Sequence, residues 1–200
     1  MDQEKIRERF LGVASAGKIY NLNDEEGYHI YEPSSYSALV SLFDEIQLNP
    51  QDIVVDFGCG LGRVLFYCNQ RFWCRVKGIE IDEEVYERVL DNKAYYSNRF
   101  MDREPEIEII LGKAEEYKIQ PEENIFYFFN PFSERIFEKI LYNIKVSLSE
   151  APRNIKIILY YTQEEYRELL KENHYVMDKL IRLPEYQYDC YEKVYVYRNY

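Results

Sequence analysis

A glycine-rich turn after a short apolar run is the feature of this 200-residue sequence that offers the most chemistry. Asp56 ends the run, and Gly58, Gly60 and Gly62 follow it at every second position. Glycines let the backbone approach a ligand closely, and the free N–H groups at the start of the next helix favour negative charge. A dinucleotide-binding turn reads G-x-G-x-x-G, and its third glycine would fall at position 63, which is Arg63. The turn therefore predicts a ligand site and disfavours a nicotinamide or flavin dinucleotide.

Two further polar residues follow apolar runs. Glu80 lies about 20 residues past Gly60, where an acidic side chain at the end of a second strand meets ribose hydroxyls. Asn130 follows an aromatic run and precedes Pro131 and Phe132. Its side-chain oxygen can accept hydrogen bonds from an amine, although Asn-Pro is also typical of an ordinary turn. The sequence contains only two histidines and no C-x-x-C pair, so we expect no metal site.

Strand patterns alternate with helical periodicity through most of the chain. We predict strands over 53–56, 76–81, 107–111, 125–129, 155–161, 177–183 and 193–197. Helical patterns lie between them, and an earlier helix is expected to end near Asn49-Pro50. This alternation predicts a doubly wound α/β sheet, and the isoleucine-rich runs favour parallel strands buried on both faces. For the tyrosine-rich strands near the C-terminus, we expect a pair with one wetter face and hydroxyls that reach water.

The D-x-G-x-G-x-G turn resembles motif I of the class I S-adenosylmethionine-dependent methyltransferases. Gly78-Ile79-Glu80-Ile81-Asp82 is similar to the G-h-E/D-h form that ends the second strand in that family. The resemblance implies that the glycine turn lies under the methionine moiety of the cofactor and that Asp56 orders the turn and the cofactor's amino group. It also implies that Glu80 binds both ribose oxygens.

Two later segments also resemble motifs of this family, but each departs from the usual pattern. Family members often read G-D-A after the third strand, whereas this chain has Gly112-Lys113-Ala114-Glu115, which leaves Glu115 as the acidic candidate for the adenine contact. Phe128-Phe129-Asn130-Pro131-Phe132 resembles motif IV, where methyl donor and acceptor meet, but it has one proline where amine methyltransferases often have two.

With Tyr31-Glu32-Pro33-Ser34 added, the chain is similar to small bacterial methyltransferases, and some protein-lysine methyltransferases share a comparable layout. The resemblance implies a Rossmann-like, three-layer αβα domain over residues 1–200, with a lead-in over 1–49 and a core over 50–200. Its sheet would have seven mostly parallel strands, the last one inserted antiparallel. The implied cofactor is S-adenosylmethionine, and the implied catalytic residues are Asn130, Pro131 and Phe132. The implied cofactor-binding residues are Tyr31, Asp56, Gly58, Cys59, Gly60, Gly62, Arg63, Glu80, Ile81, Ala114, Glu115 and Asn130.

Several of these residues have a structural alternative. Arg63 is unfavourable at a helix start, so it has either a carboxylate partner or an exposed surface position. Glu115 fits a solvated face equally well. Tyr31 and Ser34 form either a lid over the cofactor or a plain helix cap, and we expect Cys59 to pack in the turn.

The charge of the chain bears on the methyl acceptor. Asp and Glu number 36 against 25 Lys and Arg, which gives a formal net charge of −11. Such a field repels polyphosphate, so we favour a protein side chain or a small amine over nucleic acid. A base methyltransferase, a dinucleotide-binding oxidoreductase and a non-catalytic cofactor-binding protein remain alternatives. We expect a cytoplasmic protein with reduced cysteines, because the chain has neither an apolar signal region nor a run long enough to cross a membrane.

Overall fold

Seven strands form one mixed sheet in the computed structural model, which describes residues 3–17, 27–29, 32–101 and 106–199. The strands are β1 (Ile53–Phe57), β2 (Arg75–Glu80), β3 (Ile107–Leu111), β4 (Ile125–Phe129), β5 (Lys156–Tyr160), β6 (Val176–Arg182) and β7 (Lys193–Arg198). Their order is β3-β2-β1-β4-β5-β7-β6. The first five are parallel, and β7 lies antiparallel between β5 and β6. The predicted architecture is confirmed.

Helices cover both faces of the sheet. The helices are α1 (Gln3–Leu11), α2 (Tyr36–Glu45), α3 (Arg63–Phe72), α4 (Glu83–Arg99), α5 (Glu134–Glu150) and α6 (Glu164–Glu172). Neighbouring strand residues alternate between two cores: Val54 packs with residues of α2 and α3, whereas Val55 packs with residues of α5 and α6. Every residue of β1 is buried, as expected for a central parallel strand covered on both faces.

Helix α2 ends earlier than the sequence predicts. Ile46 already has extended backbone angles, and the chain then forms a turn closed by side chain and backbone together. Asp52 Oδ2 accepts from the Asn49 backbone N–H at 2.7 Å, and the Asp52 N–H donates to the Asn49 carbonyl at 2.9 Å. Asp and Asn favour such local bonds over helix, so the helix ends about one turn before Asn49-Pro50.

The two C-terminal strands differ from each other: β7 contains Tyr195 and Tyr197, whereas β6 contains no tyrosine. β6 is at the edge of the sheet and exposes most of its residues, which fits the predicted wetter face. β7 is buried along Val194–Tyr197, because it lies between two strands and under α6. Tyr195 and Tyr197 are both only 6% exposed, so their rings pack in the core, and contact of their hydroxyls with water stays a prediction.

Membrane-spanning potential and the state of the cysteines can both be read from the described part of the chain. None of its helices combines the length and the apolar composition that a membrane span needs. All four cysteines are free thiols; Cys59, Cys68 and Cys74 are buried, and Cys190 is exposed.

Candidate active site

The glycine turn connects β1 to α3 at the carboxyl edge of the sheet. Gly58, Gly60 and Gly62 all have positive φ angles, of 78°, 52° and 80°, which side chains other than glycine rarely adopt. Space is also short, since a Cβ atom on Gly58 would lie 2.8 Å from Pro131 Cβ, and one on Gly62 would lie 2.6 Å from Phe66 Cε2. The turn therefore needs glycine at these positions for conformation and for packing.

Glu80, the last residue of β2, holds the turn against the neighbouring strand. Its Oε2 accepts from the Gly60 N–H at 2.9 Å, and its Oε1 accepts from the N–H groups of Ile81 and Asp82 at 2.9 and 3.0 Å. Burial raises the pKa of Glu80. Burial, with the negative charge of Glu80 as a second cause, raises the pKa of Asp56 to about 8. Two buried carboxyl groups beneath the turn favour a ligand that carries positive charge there.

A cleft opens in front of the turn, and we call it the central cleft. From the turn and the end of β2 it is lined by Gly58, Ile79, Glu80 and Ile81. The opposite walls come from Tyr28, His29, Glu32, Val85, Gly112, Phe129 and Pro131. A Cβ atom built on Gly112 has no neighbour within 4 Å, so the absence of a side chain there leaves open space. The cleft thus combines two acidic side chains, Glu32 and Glu80, with a mostly apolar wall.

Asn130 follows β4 with an unusual backbone and an unsatisfied side chain. Its φ is +40°, and its Oδ1 is buried without a hydrogen-bond partner among the described residues. Its carbonyl accepts from His29 Nδ1 at 2.7 Å, which places the proton of that imidazole on Nδ1. The His29 N–H also donates to the Pro131 carbonyl at 2.9 Å. His29 therefore fixes the backbone around Asn130 and does not use its Oδ1, which stays buried.

A second cleft, which we call the lateral cleft, lies on the far side of Asn130. Its lining comprises Asn130, Tyr161, Thr162, Gln163, Glu164, Glu165, Arg167, Cys190, Tyr191 and Lys193. Aromatic rings form the boundary between the clefts: Phe129 stacks on Tyr160 at 4.2 Å between ring centroids and meets Tyr161 edge-on at 6.1 Å. Phe129 and Pro131 line the central cleft while Asn130 lines the lateral one, so Asn130 lies where the two clefts approach each other.

The structure places Arg63 away from the central cleft. Its side chain is buried and ion-paired with Glu4 and with Glu8, the latter at 3.2 Å. Its Nε donates to Ser15 Oγ at 2.8 Å, and its Nη1 donates to the Ser34 carbonyl at 3.1 Å. The predicted carboxylate partner is thus present twice, and both partners come from α1.

Other predicted site residues also lie outside the lining of the central cleft. Glu115 Oε2 accepts from the Tyr28 hydroxyl at 2.6 Å, so this carboxylate buttresses one wall of the cleft. Ala114 and Phe132 are buried in the core on the α5 side of the sheet. Cys59 is buried in the turn, where its packing was expected, and Tyr31 lies outside the described residues.

Ser34 fits neither of its two predicted roles. Its buried Oγ shares a 2.9 Å hydrogen bond with the Tyr127 hydroxyl, so its side chain points into the protein. The helix cap is Ser35, whose Oγ accepts from the Ala38 N–H at 3.1 Å.

Sequence reasoning missed several residues that line the central cleft. Tyr28 and His29 lie in a stretch without periodicity and reach the site through a bridge between Tyr28 and Phe132. Val85 belongs to the first turn of α4, and its place directly after the Glu80 segment is a signal that could have identified it.

Comparison with known proteins points to methyltransferases. The family model described as histone methylation protein DOT1 matches residues 20–103, which include the glycine turn and Glu80. A segment of 40 residues is 42% identical to the H3 lysine-79 specific histone-lysine N-methyltransferase of Dictyostelium discoideum. That segment amounts to 20% of this chain and only 2% of the Dictyostelium protein.

Solved structures resemble the chain over most of its length. An RNA methyltransferase from Salinibacter ruber, in complex with S-adenosyl-L-homocysteine, has a TM-score of 0.59 at 15% identity, over 84% of this chain and 92% of that one. A geranyl diphosphate C-methyltransferase from Streptomyces coelicolor A3(2), also bound to S-adenosyl-L-homocysteine, has a TM-score of 0.56 at 12% identity, over 82% and 75% of the two chains. Together with the strand order, these likenesses show that the chain has the Rossmann-like fold of the class I methyltransferases.

Proposed function

We propose that this protein transfers a methyl group from S-adenosylmethionine to a nitrogen atom of a protein side chain or a small amine. The proposal depends chiefly on Asn130, which lines the lateral cleft between two residues that line the central cleft, and whose buried Oδ1 has no hydrogen-bond partner among the described residues. A methyl transfer needs a donor and an acceptor on opposite sides of one point, and the two clefts provide that arrangement.

The residues of the central cleft fit the cofactor. Glu80 lines the cleft, and beyond the three backbone bonds that its carboxylate accepts, about one lone pair, on Oε2, is left for a ribose hydroxyl. Ile79, Ile81 and Val85 offer apolar surface to a purine. The positive sulfonium and amino groups of S-adenosylmethionine, if placed near Asp56 and Glu80, would stabilise the ionised forms of these buried carboxyl groups.

Bound S-adenosylmethionine would supply an activated methyl group, so the protein's task is to position the acceptor and exclude water. Asn130 Oδ1 accepts an N–H bond from a neutral amine and thereby aims its lone pair at the central cleft. His29 keeps the Asn130 backbone in place through its 2.7 Å bond to the carbonyl. Phe129, Tyr160 and Tyr161 form an aromatic wall that excludes water and can hold a methylated, cationic product.

Two observations support a nitrogen acceptor on a protein or small molecule. The matching family model describes histone methylation, and the relative from Dictyostelium is a histone-lysine N-methyltransferase. The net charge of −11 works against an acceptor within a long nucleic acid. The identity of the acceptor is a matter for direct screening with labelled S-adenosylmethionine over cell lysate digested in turn by protease and nuclease. Label that is lost on protease treatment or that travels with small molecules supports the proposal, and label lost only on nuclease treatment contradicts this choice of acceptor.

Calorimetry tests the cofactor. We expect binding of S-adenosylmethionine and S-adenosylhomocysteine, weak or absent binding of NAD, and loss of S-adenosylmethionine binding in Gly60→Val. The reason is that Gly60 has a positive φ and donates its N–H to Glu80, so a branched side chain disrupts the turn. Thermal denaturation of Gly60→Val is the control for stability, because a variant that stays folded at the temperature of the measurement has lost binding through the turn and not through unfolding. Binding of NAD without binding of S-adenosylmethionine would overturn the proposal.

Asn130→Ala tests the mechanism. We expect turnover to fall roughly 10- to 100-fold, the cost of one lost hydrogen bond in a buried site, with little change in cofactor affinity. Asn173→Ala is the control, since Asn173 lies at the exposed end of α6 and bonds within its own helix. Unchanged turnover in Asn130→Ala would show that Oδ1 does not position the acceptor.

A further inference from the structure

Two positively charged side chains line the lateral cleft and lie around one ring. Arg167 comes from α6, and Lys193 is the first residue of β7. Arg167 Cζ lies 4.6 Å from the centroid of the Tyr195 ring, and Lys193 Nζ lies 5.8 Å from the same centroid. Both positive charges therefore lie close to the same aromatic ring, where the contact with each cation is favourable.

Neither cation forms an ion pair with a residue that the structure describes. Arg167 Nη1 donates to the Tyr195 hydroxyl at 3.2 Å, but its Nε is buried and has no hydrogen-bond partner among those residues. The guanidinium also hydrogen-bonds the Tyr197 side chain, but tyrosine hydroxyls are neutral, so these bonds leave the positive charge of Arg167 without a counter-charge.

Two carboxylates that precede Lys193 in the chain accept hydrogen bonds from neutral groups and do not pair with either cation. Asp189 accepts from the Tyr161 hydroxyl at 2.7 Å and from the Tyr191 N–H at 2.9 Å. Glu192 accepts from the Tyr160 hydroxyl through both oxygens, at 2.8 and 3.0 Å. Glu164 and Glu165 also line the cleft, but they are exposed and belong to the first turn of α6, where the helix dipole favours negative charge.

We infer that the lateral cleft binds an anionic group, a carboxylate or a phosphate, through Arg167 and Lys193. Guanidinium and ammonium groups are the side chains that recognise such anions. With Asn130 lining the same cleft, the methyl acceptor carries its nucleophile near Asn130 and a negative group toward β7. The assignment of this anion to the acceptor rests on the proposed function, whereas the anion site itself does not.

The net charge of −11 means that Arg167 and Lys193 would have to hold an anion against the overall repulsion of the chain. At long range the chain repels an anionic ligand, so a ligand of that kind must be held by local contacts. The site would therefore select anionic acceptors by short-range pairing inside the cleft. Polyanions would not be attracted at long range, because the chain as a whole is negative.

Cys190 provides a direct probe of the charge in the cleft. It lines the lateral cleft and is exposed, whereas the other three cysteines are buried. The experiment compares the alkylation rate of Cys190 by iodoacetate, an anion, with that by neutral iodoacetamide, using mass spectrometry of the Cys190 peptide. A change in the ionisation of the thiol alters both rates equally, so the ratio of the two rates isolates the attraction of the cleft for an anion.

We expect the ratio of iodoacetate to iodoacetamide rates to fall roughly three- to tenfold in the double variant Arg167→Gln, Lys193→Gln. Lys171→Gln is the matched control, since it removes the same charge from an exposed position on α6 outside the cleft, and its ratio should equal that of the unaltered protein. Lys193→Gln alone, expected to show a smaller fall, serves if the double variant does not fold. An unchanged ratio in a folded variant overturns the inference.

Protection experiments distinguish the two kinds of anion. Inorganic phosphate or acetate in the unaltered protein should slow alkylation of Cys190 by iodoacetamide, and the double variant should show no such protection. Stronger protection by phosphate indicates a phosphate-bearing ligand, and stronger protection by acetate indicates a carboxylate. No protection by either anion contradicts the site. All these readouts are independent of S-adenosylmethionine, so failure of the anion site and failure of the proposed methyl transfer are separate results.

Discussion

At the scale of single residues, the site depends on polar groups held in unfavourable surroundings. Asp56 is buried with Glu80 nearby, and burial is the larger cause of its raised pKa. Asn130 has a positive φ, and its Oδ1 has no hydrogen-bond partner in the part of the chain that the structure describes. Strain and unpaired polar groups cost stability, and proteins retain them mainly where function requires them. Substitution of Asp56 or Asn130 is therefore expected to affect stability and activity to different extents.

Asp56→Asn is expected to flatten the pH dependence of stability. The pKa of the Asp56 carboxyl rises from 3.8 to about 8 on folding, so the folded state holds this proton more tightly than the unfolded chain does. Its contribution to the free energy of unfolding is therefore greatest below about pH 4 and is lost as the pH rises to about 8, at about 1.4 kcal/mol per unit of pKa shift. Urea denaturation across this range measures it, with Asp91→Asn, an exposed position on α4, as the control. Equal slopes for Asp56→Asn and the unaltered protein would contradict the raised pKa.

At the scale of elements, helix α1 is attached to the core by charge more than by apolar burial. Of its residues only Leu11 is buried, whereas Glu4 and Glu8 both pair with the buried Arg63 at the start of α3. The Arg63 guanidinium also lies over the Tyr36 ring at 4.4 Å, so α1, α2 and α3 meet at this one side chain. The residue that sequence reasoning assigned to the cofactor therefore organises the helices beside the turn.

The double variant Glu4→Gln, Glu8→Gln should lower the free energy of unfolding by on the order of 3 kcal/mol, because it leaves the Arg63 charge buried without a partner. Adding Arg63→Met should recover part of that loss, since an apolar side chain of similar length needs no counter-charge. Chemical denaturation of the three proteins tests this. If the triple variant were as unstable as the double one, the effect would not come from the unpaired charge.

At the scale of the whole molecule, the sheet topology determines where the clefts lie, and the acidic excess determines which large partners approach them. The strand order brings the ends of β1, β2, β4 and β5 to one edge, where both clefts open. The net charge of −11 has no part in that arrangement, but it controls which large partners approach the edge.

We expect the protein to bind long RNA or DNA more weakly than the roughly 10⁻⁴ to 10⁻⁶ M that is typical of non-specific binding at physiological salt. Fluorescence anisotropy with a labelled oligonucleotide measures this, and a basic protein of similar size is the positive control. Tight, salt-dependent binding would show that local basic groups outweigh the net charge, and it would reopen a nucleic-acid acceptor.

The sequence by itself determined the local elements and the fold class. The strands β3 and β4 were predicted with their exact limits, because β-branched and aromatic runs bounded by turn residues are local signals. The glycine turn and its resemblance to a known motif indicated the architecture, which the strand order confirms. The roles of Asp56, Glu80 and Asn130 in cofactor and acceptor binding stay predictions.

Only the tertiary structure decided which residues meet. His29 reaches Asn130 across 101 positions of sequence, and Arg63 reaches Glu8 across 55. Lys193 and Arg167 come to one ring because β7 is inserted beside β5 and under α6. No periodicity or spacing encodes such contacts, since they depend on how separately formed elements pack. The sequence therefore specified the parts of the site, and packing determined both its positioning residues and the charge of its lateral cleft.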